Sequence, residues 1–155
     1  MTLYVLALLI GVIAGLRAMT APAAVSWAAH LGWLPLAGTP MAFMGFAYTP
    51  FIFSVLALGE FVTDQLPQTP SRKVPMQFGG RLASGALCGA CFGAAGGSLV
   101  GGLVAGVVGA VIGTLGGAAV RAKLAQVFGK DLPAALIEDA VAVAGAFLIV
   151  SAARA

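Results

Sequence analysis

Arg17 stands alone in an apolar stretch: residues 1–16 and 18–59 contain no Asp, Glu, Lys or Arg. A charge at such a position is costly in a nonpolar setting, so it calls for a role. Close behind it comes Thr20-Ala21-Pro22. Proline removes a backbone donor and clashes with the preceding turn, so a helix running through Arg17 is expected to kink or break here, with Thr20 placed to cap its second half. The start of a half-helix offers free N–H groups and the positive end of a dipole. With a guanidinium beside it, such an end suits an anionic or polar group held inside a membrane. The plainer alternative is that Arg17 pairs with an internal carboxylate and only fixes packing. Glu60 and Asp64 lie four residues apart and so share one helical face, while Glu138 and Asp139 open the last apolar segment. Four carboxylates with Arg81 and Arg121 as partners suit a proton or cation site. The competing reading is that Glu138 and Asp139 favour a helix start and that all four pair with basic residues. Arg17, Thr20, Glu60, Asp64, Glu138 and Asp139 are therefore the candidate substrate-binding residues.

The remaining reactive side chains suggest less. Cys88 and Cys91 have C-x-x-C spacing but lie in a Gly/Ala segment without the βαβ context of a redox motif. They read as buried small residues. His30 is a lone histidine, read as interfacial. No phosphate-binding loop, zinc-protease motif or nucleophile elbow occurs. The expectation is a protein that is not an enzyme, with no catalytic residue, metal or cofactor.

The elements that position these residues follow from composition. Of 155 residues, 8 are Lys or Arg and 5 are Asp or Glu, so 8% are charged, against about 25% in an ordinary soluble domain. With 61% hydrophobic residues and a mean hydropathy of +1.05, the chain cannot cover itself with polar surface. A water-soluble globule and a disordered chain are both excluded. The net charge of +3 includes no basic run longer than Arg72-Lys73, so it is read as a topology signal and not as a nucleic-acid surface.

Strand-like alternation is absent, which leaves an all-α integral membrane protein, a single transmembrane domain over 1–155 with about five helices. These are expected at about 3–29, 50–66, 79–95, 99–126 and 133–153, the first broken near its middle. The stretch 31–49, rich in aromatics, Gly and Pro, reads as an interfacial loop. Glycine recurs every fourth position through Gly85, Gly89, Gly93, Gly97 and Gly101, then Gly109, Gly113 and Gly117. One helix from Gly79 to about Val127 would be roughly 70 Å long, so the chain must fold back at Gly96-Gly97-Ser98 into a glycine-zipper hairpin. Ala21-Pro22-Ala23 resembles a signal cleavage site, but no basic segment precedes the apolar run, so the first helix is expected to stay. Placing Arg72, Lys73, Arg121, Lys123 and Lys130 in the cytoplasm, with five spans, puts the N-terminus inside and the C-terminus outside.

Gly15-Leu16-Arg17-Ala18-Met19-Thr20-Ala21-Pro22-Ala23, Leu58-Gly59-Glu60, Asp64, Leu66-Pro67, Thr69-Pro70-Ser71-Arg72 and Leu136-Ile137-Glu138-Asp139-Ala140 together resemble the motifs of a family of small bacterial membrane proteins known as domain of unknown function 4126. The resemblance covers nearly the whole chain. It implies a multi-pass protein of the bacterial inner membrane and carries no substrate or activity. Two functions lead on the residues alone, ahead of a membrane-embedded enzyme acting on a lipid phosphate, for which no nucleophile–base pair stands out. One is a small transporter or channel for an anionic or polar solute, coupled to protons or cations and assembled as a homo-oligomer. The other is a structural or accessory membrane protein that binds lipid or a partner protein.

Overall fold

The computed structural model describes residues 2–63 and 75–154, and within these the chain is helical with no strand. Six α-helices are formed: α1 (Thr2–Leu16), α2 (Thr20–His30), α3 (Thr49–Thr63), α4 (Pro75–Ala95), α5 (Leu99–Phe128) and α6 (Asp131–Arg154). A 3-10 turn at Ala42–Gly45 lies between α2 and α3. Two stretches, Leu99–Phe128 and Pro133–Ala153, are long and apolar enough to cross a membrane. At 15 residues each, α1 and α3 are apolar but reach only about 22 Å, less than a hydrocarbon core of about 30 Å.

The centre of the bundle is a three-helix contact of α1, α4 and α5 built on absent side chains. Gly85, Gly89 and Gly93 of α4 meet Gly102 and Gly106 of α5 backbone to backbone, and Gly106 also meets Gly11 of α1. Farther along α5, Gly109 and Gly113 press on Leu8 and Val12 of α1. A Cβ at any of these glycines would overlap main-chain atoms of the neighbouring helix. Close approach of this kind gains dispersion contacts that larger side chains would prevent.

The turns follow their residues. Gly97, between α4 and α5, has φ of 94°, and Gly129, which ends α5, has φ of 72°; both are left-handed conformations that glycine adopts without a Cβ penalty. Ser98 then caps α5, its Oγ accepting from the Gly101 amide at 3.3 Å.

The first apolar segment is broken near its middle as expected, into α1 and α2, but the two halves do not run on in one direction. Using α6 as a ruler, Arg17 is bonded at Asp139 and Ile13 abuts Gly145, so α1 runs antiparallel to α6. Beyond the break the ring of Trp33 packs on Phe147, so α2 travels in the same direction as α6. The chain therefore reverses at Arg17–Met19, and α1 and α2 enter and leave from the same end of the bundle. Leu3 at the start of α1 lies against Gly96 in the α4–α5 turn, while Arg121, Lys123 and Lys130 sit toward the other end. The segment 31–48 folds over the end of α2: Leu34, Leu36 and Met44 are buried, Ser26 Oγ donates to the Met44 carbonyl at 2.6 Å, and Phe46 and Tyr48 face outward.

The outward faces of the bundle are apolar. Val5, Phe51, Val55, Val104, Val141 and Leu148 are among many large hydrophobic side chains more than two-fifths exposed. Soluble monomers rarely expose contiguous apolar patches beyond a few hundred Å², and so many exposed large hydrophobic side chains suit an apolar surrounding.

Candidate functional site

The break at Arg17–Met19 is the polar centre of the molecule. Ending α1 and starting α2 at one point leaves carbonyls facing one way and amides the other, and each set must find a partner away from water. On the carbonyl side, Arg81 of α4 donates through Nη1 to Gly15 O at 3.0 Å and to Leu16 O at 2.7 Å. Thr114 of α5 adds a long bond to Gly15 O at 3.4 Å. On the amide side, the Glu60 carboxylate of α3 accepts from Ala18 N at 2.9 Å and from Met19 N at 3.0 Å. Ser84 of α4 donates to the Ala18 carbonyl within the break. A cation thus closes the negative end of α1 and an anion the positive end of α2, both favourable to the helix dipoles. Hydrogen bonds to a charged group contribute about 1.5–3 kcal/mol each.

Two further ion pairs surround this clamp. Arg17 is fully buried; its Nε donates to Asp139 Oδ1 of α6, its Nη2 makes an ion-pair contact with the same oxygen, and its guanidinium lies 5.9 Å from the Phe61 ring centre. Arg121 of α5 reaches Glu138 at 3.5 Å. Among the described residues, three arginines and three carboxylates are thereby gathered from four helices, α3 to α6, and the α1–α2 break.

Of the six residues expected at the site, Arg17, Thr20, Glu60, Glu138 and Asp139 are brought to one region, with Glu138 and Asp139 turned to different arginines. Asp64 lies outside the described residues. Two expectations change. Thr20 does not cap α2: the residue before the helix is Met19, which makes no side-chain cap bond, and Thr20 is already in the first turn. The capping is done by Glu60 from another helix, so the α2 start expected to face a solute already holds a carboxylate of the chain. The role of Arg81 as a carbonyl clamp was not read from the sequence, although a single charge among the small residues of α4 carries the same cost signal as Arg17. Cys88 and Cys91 are buried and free, and His30 Nδ1 lies 3.2 Å from the Gly45 carbonyl. Among the described residues no three of His, Cys, Asp and Glu converge where they would hold a metal ion.

No family model, curated protein or solved structure matches the chain. The arrangement must therefore be interpreted from its own chemistry. Two apolar grooves flank the polar centre. One, of about 470 Å³, lies between α2, α3 and α6. The other, of about 330 Å³, lies between α1, α5 and α6 with Arg121 and Glu138 on its wall.

Proposed function

We propose that the chain is a small integral membrane protein that carries an anionic or polar solute through the break between α1 and α2, with proton coupling. The observation that carries this reading is the gathering of three arginines and three carboxylates around the break of a re-entrant helix pair in a bundle with an apolar exterior. Glu60 and Arg81 are explained by the backbone they satisfy. Arg17 with Asp139 and Arg121 with Glu138 are not explained in this way, because well-packed apolar pairs would cost less there. Intramembrane charges that are retained against that cost mark solute and proton paths.

In this reading each anion-binding feature holds an internal substitute. Glu60 occupies the amides at the start of α2, and Asp139 occupies Arg17. A proton on either carboxylate weakens its hold and frees a positive group, which an incoming anion then takes. One proton in and one anion in leave the net charge of the interior unchanged, as an apolar medium requires. Asp64 and Glu138 are proposed as further carboxylates of the same path. The helices are proposed to lie in a bacterial cytoplasmic membrane, and kinship with the family named above is part of the same reading. So is homo-oligomeric assembly; the glycine stripes are used within the protomer, so contacts between copies would use other faces.

The test is flux into phosphatidylcholine–phosphatidylglycerol proteoliposomes under an inward proton gradient, across a panel of inorganic and carboxylate anions. Wild-type protein should show flux that the double variant Arg17→Leu/Asp139→Leu loses while keeping its fold. Folded wild-type protein with no flux across the panel would overturn the proposal. A second reading, the structural or accessory protein, is favoured by one specific observation: both helix ends at the break are already closed from within the chain. On that reading the network is packing alone.

A further inference from the structure

The groove between α2, α3 and α6 has a chemistry of its own. Its lining includes four aromatic side chains, Trp27, Trp33, Phe61 and Phe147, with alanine the commonest of the other residues. Its volume of about 470 Å³ lies in the range of small-molecule pockets. At the end nearest the break stands Thr20, 6% exposed, whose buried Oγ1 has no hydrogen-bond partner. Thr20 is the first residue of α2, so the carbonyl four residues back, to which a helical threonine usually donates, is Leu16 O at the end of α1, across the reversal, where Arg81 donates to it instead. A buried hydroxyl without a partner is an exception that asks for an explanation.

From this geometry we infer that the groove binds a neutral, lipid-soluble ligand made of a flat ring bearing a ring carbonyl. The ring lies among the aromatic walls, where offset and edge contacts with planar partners are favourable. The carbonyl accepts from Thr20, whose hydroxyl and methyl exchange places on rotation between two χ1 wells, both populated by threonine in helices. A neutral ligand is specified because the groove's lining carries no charged side chain that would compensate one on the ligand. Ordinary phospholipid tails do not meet the requirement. Thr20 is level with Arg17, and Arg17 is bonded to the ninth residue of α6, roughly 12 Å along that helix, where tails offer only hydrocarbon. The site is distinct from the ion network and does not depend on transport.

Both tryptophans of the chain line the groove, which supplies the readout. Full-length protein in phosphatidylcholine nanodiscs is titrated with 1,4-naphthoquinone, and tryptophan quenching is followed, so that acyl tails compete throughout. Saturable quenching is expected, weakened about three- to tenfold by Thr20→Val, as the loss of one hydrogen bond dictates. Thr20→Ser should restore it. Naphthalene, the same ring without carbonyls, should compete with the same inhibition constant in wild type and Thr20→Val. Ala24→Leu, which narrows the groove from its partly buried wall, should abolish the saturable phase while circular dichroism shows unchanged helix content. Quenching that rises linearly and identically in all four proteins means partition into the bilayer and overturns the inference. Saturation that ignores Thr20→Val overturns the assigned hydrogen bond and with it the ligand class.

Discussion

The side chains at the break have unequal roles, and substitution separates them. Glu60→Ala leaves the Ala18 and Met19 amides without their acceptor, at about 1–3 kcal/mol each. Its thermal midpoint in detergent should fall by several degrees. Glu60→Gln keeps one carbonyl oxygen and should lose roughly half as much. Arg17→Ala leaves the partly buried Asp139 without its ion-pair partner, expected to cost up to about 3 kcal/mol, whereas Arg17→Leu/Asp139→Leu removes both charges and should come close to wild-type stability. A double variant as unstable as the single one would show that Arg17 holds the fold by more than its ion pair. The sequence made the cost of Arg17 visible because no other charge lies within its apolar stretch. It did not identify the partner, since Asp139 is 122 residues away and four carboxylates were equally available. Glu60 was legible as a costly charge too, but not as the cap of α2, because a cap supplied from another helix leaves no local spacing to recognise.

At the scale of helices, glycine position decides which faces meet. Gly106 lies where α1, α4 and α5 converge, with Gly85 and Gly89 on one side and Gly11 on the other. Gly106→Ala places a methyl against main-chain atoms that cannot move singly, so helix separation and a large loss of thermal stability are expected. Gly116, in the same helix, has nothing within 4 Å of an added Cβ. There Gly116→Ala should be neutral or stabilising by up to about 1 kcal/mol through helix propensity. Comparing the two midpoints isolates close packing from propensity. The α4–α5 hairpin was readable from the four-residue glycine period and the Gly96-Gly97-Ser98 turn. Which stripe faces which helix was not. Helix α5 carries small residues on more than one face, so Gly102 and Gly106 serve α4 while Gly109 and Gly113 serve α1, and period alone cannot rank them. The break itself was announced by Pro22 and Arg17, but its reversal was not, because residues 17–19 contain neither glycine nor proline and the turn is held by Glu60, Arg81 and Ser84 from elsewhere.

For the whole molecule, that reversal changes the parity of the chain. A single kinked crossing over 3–29 gives five spans and termini on opposite sides. A re-entrant α1–α2 pair makes the count even and puts the start of α1 and the end of α6 at the same end, away from Arg121, Lys123 and Lys130. With basic residues retained on the cytoplasmic side, both termini are then expected outside, contrary to the N-inside orientation expected from span counting. Single cysteines reacted with a membrane-impermeant maleimide in spheroplasts and in inverted vesicles decide between the two. Native Cys88 and Cys91 are buried and should stay silent. Thr2→Cys, Tyr48→Cys and Ala152→Cys should label from the outside, and Lys130→Cys only in inverted vesicles. Labelling of Thr2→Cys together with Lys130→Cys, opposite to Tyr48→Cys, would instead make α1 and α2 one continuous crossing. The break would then lie midway along a span, and the Glu60 clamp would cap a kink rather than a re-entrant turn.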